Sequence, residues 1–507
     1  MVLCGLLSAA AYPPLDLWPL ALVLLIPVIA LAWRLTPRRA LVAGYIYGMS
    51  LTLGGMYWVS VVMATYGRVD WPIVGVTLVL MALYGGMFFA SFSWLIAWWR
   101  GPRGLLLVLM PLFWVGHEYL RAHLLFGFPW CPWGQALAAY PPMAQTAEWF
   151  SAPGLSALVV LVNGLLAWAL VPGGPRRTRA GRWSAAVLAV AVLAAAWGWG
   201  TWRMEVVGRA MARAPKLTVS VVQANIPLNV LHDRQEIPGV MAKITALTQQ
   251  EAAKVKDRPW LVVWPETAAP FYFMYDRTRS NPVLQLARRL GIYLTLGSSG
   301  LERSGNKIFP TNRAWLVWPD GQRTAYYDKV HLVPFGEYVP YPKVFFFVRA
   351  IAQVGGDMLP GKPGTVLPAG QAMLGPLICY ESVFPYLARA MRRAGANLLI
   401  NQTNDAWFGR TSAPYQHMSH LALRSIETRL ACARAANTGI SGFVLPDGRI
   451  VDTAGIFTAG VRTRSLPLMR LETFFTRHGD LLGPGGLIIS CLAALWAGLW
   501  RWRNKEG

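Results

Sequence analysis

The chain has 507 residues, of which 55% are hydrophobic and only 14% charged, with a mean hydropathy of +0.38. A soluble domain carries about a quarter charged residues, so an ordinary soluble protein is excluded, and the length exceeds one ordinary domain. The formal net charge of +23 raises the question of a nucleic-acid partner, but many of the arginines flank apolar runs, which fits anchoring to anionic lipid and sets nucleic acid aside.

In chain order, the first part is a series of apolar runs. A helix needs roughly 20 apolar residues to cross the hydrocarbon core. Runs at 17–33, 40–63, 73–98, 105–120, 155–171 and 185–200 are candidate spans, and one more lies at 487–500. Residues 1–12 are apolar but short. They are read as a first span and not as a signal peptide, because a basic n-region and a separate cleavage site are missing. About eight spans are therefore expected, seven in 1–202 and one in 484–507, around a polar domain at 203–483.

Charge sets the orientation. One set of connections holds Arg34, Arg38 and Arg39, then Arg100 and Arg103, then Arg176, Arg177, Arg179 and Arg182, and the tail adds Arg501, Arg503 and Lys505. The alternate connections hold little beyond Arg68 and Arg121. Short cytoplasmic loops carry the excess of Lys and Arg, so the polar domain is expected outside. Arg203, Arg209, Arg213 and Lys216 run against this, but large translocated domains follow the rule poorly.

Two features of the membrane part have competing readings. The aromatic connection at 121–153, with Phe128-Pro129-Trp130, Trp133 and Trp149-Phe150, is either an interfacial belt or a lipid-handling arm. Glu118 is either a functional intramembrane carboxylate or half of an i, i+3 pair with Arg121.

At Leu217 the texture changes to short β-branched runs alternating with helical stretches. Strands are expected at 217–222, 261–264, 292–296, 374–378 and 398–400, and helices at 238–255, 281–290, 383–394 and 419–435. Two hairpins are expected, 314–318 with 324–327 about Pro319-Asp320-Gly321, and 442–445 with 449–451 about Pro446-Asp447-Gly448. Such alternation predicts an α/β sheet domain.

Three segments at strand ends carry chemistry: Val263-Trp264-Pro265-Glu266, Asp328-Lys329 with the run to Glu337, and Ile378-Cys379-Tyr380-Glu381-Ser382. A thiol attacks only after losing its proton, which a carboxylate can accept. The oxyanion that follows needs a fixed cation and N–H donors. Glu266 is thus the candidate base, Lys329 the oxyanion stabiliser, Cys379 the nucleophile, and the Tyr380 N–H a second donor. The plainer alternatives are a buried Cys in a core and solvated Glu and Lys. Cys432 is read as a core residue in the middle of the 419–435 helix. The five cysteines show no CxxC or metal-type spacing.

The order Trp-Pro-Glu, Asp-Lys, Cys-Tyr-Glu-Ser resembles the Glu–Lys–Cys triad of the nitrilase superfamily. The multispan frame, the LVPFGEYVP run at 332–340, Phe128-Pro129-Trp130 and the run Asn401 to Phe408 resemble the apolipoprotein N-acyltransferase family. The resemblance implies a four-layer α-β-β-α sandwich beside the helical membrane domain. It implies catalytic roles for Glu266, Lys329 and Cys379 and supporting roles for Glu337, Tyr380 and Glu381. It implies acyl transfer from a phospholipid through a Cys379 thioester to the N-terminal amine of an S-diacylglyceryl-cysteine apolipoprotein, with no metal and no diffusible cofactor. A monomer in a bacterial inner membrane, its catalytic domain periplasmic, is expected. Near Asn225-Ile226-Pro227 such enzymes can carry a Trp a few residues on, whereas Leu231-His232 stand here. The rival readings are a membrane-tethered amidase or nitrilase that passes the acyl group to water, and a transporter or receptor with a degenerate catalytic domain. Phe345-Phe346-Phe347 either lines an acyl pocket, forms a lid, or packs as ordinary core.

Overall fold

A computed structural model describes residues 1–171, 178–346 and 357–503; Arg176, Arg177, Phe347 and Lys505 lie outside the described residues. The chain divides into two compact units. One comprises Met1–Ser60, Asp70–Glu205 and the residues from His478 onward, and the other Val61–Val69 and Val206–Arg477.

Five helices among the described residues are long and apolar enough to cross a membrane: Trp71–Trp98, Arg103–His123, Ala147–Leu170, Arg179–Arg213 and Leu482–Arg503; all but the end of the fourth, past Glu205, belong to the first unit. Pro37–Met56 makes a sixth if it is counted with the bent piece that follows it. The other two expected spans are shorter than the sequence pattern implies. Val2–Ala9 has eight residues, about 12 Å at 1.5 Å per residue against a core of about 30 Å. The 17–33 run breaks into a 3₁₀ turn, Trp18–Leu22, and a nine-residue helix, Ile26–Arg34. Pro19 and Pro27 sit at the two starts, where the missing N–H costs no helical bond. Helices Arg103–His123 and Leu482–Arg503 approach closely at Gly116 and Gly486: a Cβ on Gly116 would lie 2.5 Å from the Gly486 carbonyl carbon. Glu118 is buried, and its Oε1 accepts from Trp114 Nε1 and from the Trp133 backbone N–H, both at 2.9 Å. Its hydrogen bonds thus tie the helix to the following loop. Trp130 and Trp133 are buried core residues, while Trp149 is exposed.

The second unit holds thirteen strands among the described residues. They are β1 (Lys216–Gln223), β2 (Leu261–Val263), β3 (Ala269–Tyr272), β4 (Tyr293–Ser304), β5 (Lys307–Val317), β6 (Thr324–Asp328), β7 (Leu367–Ala369), β8 (Ala372–Ile378), β9 (Leu398–Thr403), β10 (Cys432–Ala436), β11 (Gly442–Val444), β12 (Ile450–Val451) and β13 (Gly460–Pro467). One sheet runs β13-β1-β2-β4-β5-β6 with β3 beside β4, and the other runs β12-β11-β10-β9-β8-β7. β1, β2 and β4 are parallel, as are β8, β9 and β10. Helices Ile237–Ala252 and Arg277–Leu290 bury Val240, Ile244, Val283 and Leu286 against Val222, Val262 and Leu294 of the first sheet. Helices Pro385–Arg393 and Ala413–Thr428 flank the second. Gln402 Nε2 donates to the Trp264 carbonyl at 2.6 Å, linking the sheets. The layers are α-β-β-α.

The expected helix at 419–435 is corrected. Helix Ala413–Thr428 ends at Arg429, whose φ is 54°, and Cys432 opens β10, where it is fully buried. Helix propensities differ among these residues by only tenths of a kcal/mol. Five registered pairs with β9 outweigh that preference for the alanine-rich stretch. Strands β3, β7 and β13 have no counterpart in the sequence reading.

Candidate functional site

Glu266, Lys329 and Cys379 each follow the C-terminal end of a strand, where open α/β sheets form sites. After β2 the Trp264 N–H still bonds Thr295, but Pro265 has no N–H with which to continue the ladder, and the chain turns at Glu266 with Thr267 at φ 55°. Lys329 follows β6; its N–H donates to the Asn312 carbonyl at 2.8 Å, and its own carbonyl accepts from Gly361 at 2.9 Å. Gly361 is required there, since a Cβ would stand 2.1 Å from the Asp328 carbonyl oxygen. Cys379 follows β8 at φ 50° and opens the 3₁₀ turn Cys379–Val383. A non-glycine residue in that region costs about 1–3 kcal/mol and persists only where its surroundings over-determine it.

Glu266, Lys329 and Glu337 are brought together. Lys329 Nζ lies 2.9 Å from Glu337 Oε1 and 3.8 Å from Glu266 Oε1. Glu266 Oε2 accepts from the Asn404 N–H at 2.9 Å, and Glu337 Oε2 from the Val333 N–H at 2.7 Å. Asn312 Nδ2 donates to Glu266 Oε1 at 2.7 Å and to Glu337 Oε1 at 2.8 Å. Glu381 is buried with four donors: Tyr327 Oη (2.7 Å), Val330 N (2.6 Å) and His331 N (3.1 Å) to Oε1, and Ile378 N (2.7 Å) to Oε2. It ties the segment after Lys329 to the residue before Cys379. The Tyr380 ring packs edge-on against Phe384 at 4.9 Å.

Burial sets the charge states. It raises the Glu266 carboxyl above its ordinary value, the charge of Glu337 adds to this, and Lys329 opposes both. It pushes the Cys379 thiol far up, with Glu266 adding and Lys329 opposing, so the resting sulfur keeps its proton. Burial works against the Lys329 ammonium, but the carboxylates of Glu337 and Glu266 outweigh it and hold the charge. Glu381 is pushed up to about 7 by burial.

A second buried layer supports Cys379. His417 Nε2 lies 3.0 Å from the Cys379 carbonyl oxygen, so Nε2 carries a proton and donates. Its Nδ1 lies 3.1 Å from both Asp405 Oδ1 and Arg434 Nη2. Arg434 also reaches Asp405 Oδ2 and Asn401 Oδ1, each at 2.6 Å. Sequence reasoning missed Asn312, His417 and Arg434 and assigned Asp405 no role. The available signal was polar residues inside or directly after apolar strand runs, as in Leu398 to Asp405. At the Leu231-His232 position, Leu231 is buried and the His232 ring lies 5.9 Å from Trp407. Phe345 packs on Phe335 at 5.3 Å, and Phe346 is exposed.

Comparison with known proteins adds independent evidence. A family model described as the apolipoprotein N-acyltransferase N-terminal domain matches residues 4–165, and one described as carbon-nitrogen hydrolase matches residues 218–474. The apolipoprotein N-acyltransferase of Geobacter metallireducens is 35% identical over 97% of this chain and 94% of its own length. That of Rhodopseudomonas palustris is 31% identical over 97% and 93%. The solved structure of Nit3 from Saccharomyces cerevisiae, a member of the nitrilase superfamily, aligns over 50% of this chain and 90% of its own at 20% identity, with a TM-score of 0.37. With two relatives above 30% identity along nearly the whole length, the chain belongs to the apolipoprotein N-acyltransferase family, membrane enzymes of the carbon-nitrogen hydrolase superfamily.

Proposed function

We propose that this enzyme moves an acyl chain from a phospholipid to Cys379, and from there to the N-terminal amine of a diacylated apolipoprotein, with Glu266, Lys329 and Cys379 as the catalytic residues. The observation that carries this reading is the carboxylate–ammonium–carboxylate group of buried Glu266 and Lys329 and partly buried Glu337, whose charges act on a thiol held at φ 50°. Because Cys379 rests as a thiol, its proton moves to Glu266 as sulfur attacks the ester carbonyl. The Lys329 ammonium balances the tetrahedral oxyanion. When the intermediate collapses, Glu266 returns the proton to the departing oxygen, lysophospholipid leaves, and a thioester remains. The acceptor amine then attacks the thioester, gives its proton to Glu266, and expels the Cys379 sulfur, which regains that proton. Glu337, Tyr380 and Glu381 support this centre.

Bringing an acyl chain into water costs about 0.8 kcal/mol per CH₂, which favours a site that lipid-anchored substrates reach at a bilayer surface. The charge distribution around the spans supports an inner-membrane location with residues 203–483 periplasmic.

The test uses purified full-length protein and its Cys379→Ala variant with acyl-labelled phospholipid in detergent. Label on the parent alone, released by neutral hydroxylamine, is expected. Equal label on both proteins, or none on either with an active donor, overturns the nucleophile assignment. Release of free fatty acid from the labelled protein without any amine means hydrolysis instead of transfer.

A further inference from the structure

Asn312 occupies a position with no counterpart in the proton-transfer scheme. Its single amide nitrogen carries two hydrogens and bonds two different carboxylates, Glu266 Oε1 at 2.7 Å and Glu337 Oε1 at 2.8 Å. The same two oxygens are those nearest the Lys329 ammonium. An amide's oxygen facing two carboxylates would be repelled by both, so the donor end must point inward. Asn312 also accepts the Lys329 backbone N–H at 2.8 Å. One residue therefore contacts three members of the charge group.

Strand register puts it there. Arg313 pairs with Asp328 across β5 and β6, so the next residue on each strand, Asn312 and Lys329, meet at the strand end. Side chains alternate along a strand: Thr311 and Arg313 grip the Asp328 carboxylate at 2.7 Å, while Asn312 serves the two glutamates.

We propose that Asn312 is a positioning residue that clamps Glu266 and Glu337 at a fixed spacing on one side of Lys329 and keeps Glu266 an unprotonated acceptor for the Cys379 proton. This rests on Glu266 being the base. Two carboxylates and one ammonium leave an excess negative charge in a largely buried group, and like charges at short range drive one carboxylate to take up a proton. The titratable groups facing Glu266 are Lys329, Glu337 and Cys379. Lys329 alone is shared unequally, 2.9 Å from Glu337 and 3.8 Å from Glu266. The Asn312 N–H gives Glu266 Oε1 the close donor that Lys329 does not.

The experiment follows the rate of hydroxylamine-sensitive acyl labelling against pH for the full-length parent, Asn312→Ser and Asn312→Asp. The Asp variant keeps the side-chain size but sets an oxygen against both glutamates, so a melting curve for each variant shows that it is folded before it is assayed. A charge-assisted hydrogen bond is worth enough to move a pKa by about one unit, so the acidic limb is expected to move up by about one pH unit in Asn312→Ser and further in Asn312→Asp. A limb that stays at the parental pH, whether labelling is unchanged or reduced equally at every pH, overturns the proposal. Failure of the parent to label, or equal label on Cys379→Ala, defeats instead the underlying assignment of the triad.

Discussion

Glu381 accepts a hydrogen bond from the Val330 N–H at 2.6 Å, which fixes the turn after Cys379 to the residue directly following Lys329. Three further donors converge on the same buried carboxylate. A glutamine can offer only one oxygen in its place and would turn an NH₂ toward a backbone N–H. Leaving a buried donor unpaired costs about 1–3 kcal/mol. Glu381→Gln is expected to lower the melting temperature and to slow acyl-enzyme formation at least tenfold. A melting curve beside a labelling time course checks both.

The pH dependence of acylation reports on the base. Burial raises the Glu266 carboxyl, followed by the charge of Glu337, so acylation should fall with acidification at a pH above the ordinary glutamate value of about 4.3. Neutralising Glu337 removes one raising influence. The acidic limb in Glu337→Gln should therefore move to lower pH, even where the maximal rate drops through the lost Lys329 partner.

Lys329→Met removes the ammonium that lies 2.9 Å from Glu337 Oε1 and, in the proposed mechanism, leaves the oxyanion unbalanced. Loss of one oxyanion donor costs about 10²–10³ in rate, so acyl-enzyme formation should fall by at least that factor. Restored labelling in this variant without an added cation would contradict the role given to Lys329.

Asp405→Asn addresses stability. Burial opposes the Asp405 charge, but Arg434 and His417 outweigh it and hold the carboxyl well below the usual carboxylate range. A depressed folded value contributes stability that is present above the unfolded pKa of about 3.9 and is lost as pH falls below it. Breaking a buried pair costs about 3–5 kcal/mol. The variant should unfold at markedly lower denaturant concentration at pH 7, with the gap to the parent narrowing under strongly acidic conditions.

The residue types and their order along the chain already carried the class of chemistry. Val263-Trp264-Pro265-Glu266 announces a strand end locally, because an apolar β-branched run and a proline act within a few residues. The long apolar runs announced the membrane helices in the same way. Local pattern failed where distant partners decide. The stretch around Cys432 is alanine-rich and suits a helix, yet pairing with β9 makes it a strand. Run length also misled at 17–33, where a local signal, Pro19 and Pro27, marks the starts of two short pieces. Asn312 lies 46 positions from Glu266 and 25 from Glu337 along the chain, and His417 lies 38 from Cys379. The sequence by itself determined which groups were available and that Glu266, Lys329 and Cys379 each stood just past the end of a strand. Only the tertiary structure decided which of them share one buried space, because side-chain convergence depends on strand register and sheet stacking, and these are set by contacts between residues far apart in the chain.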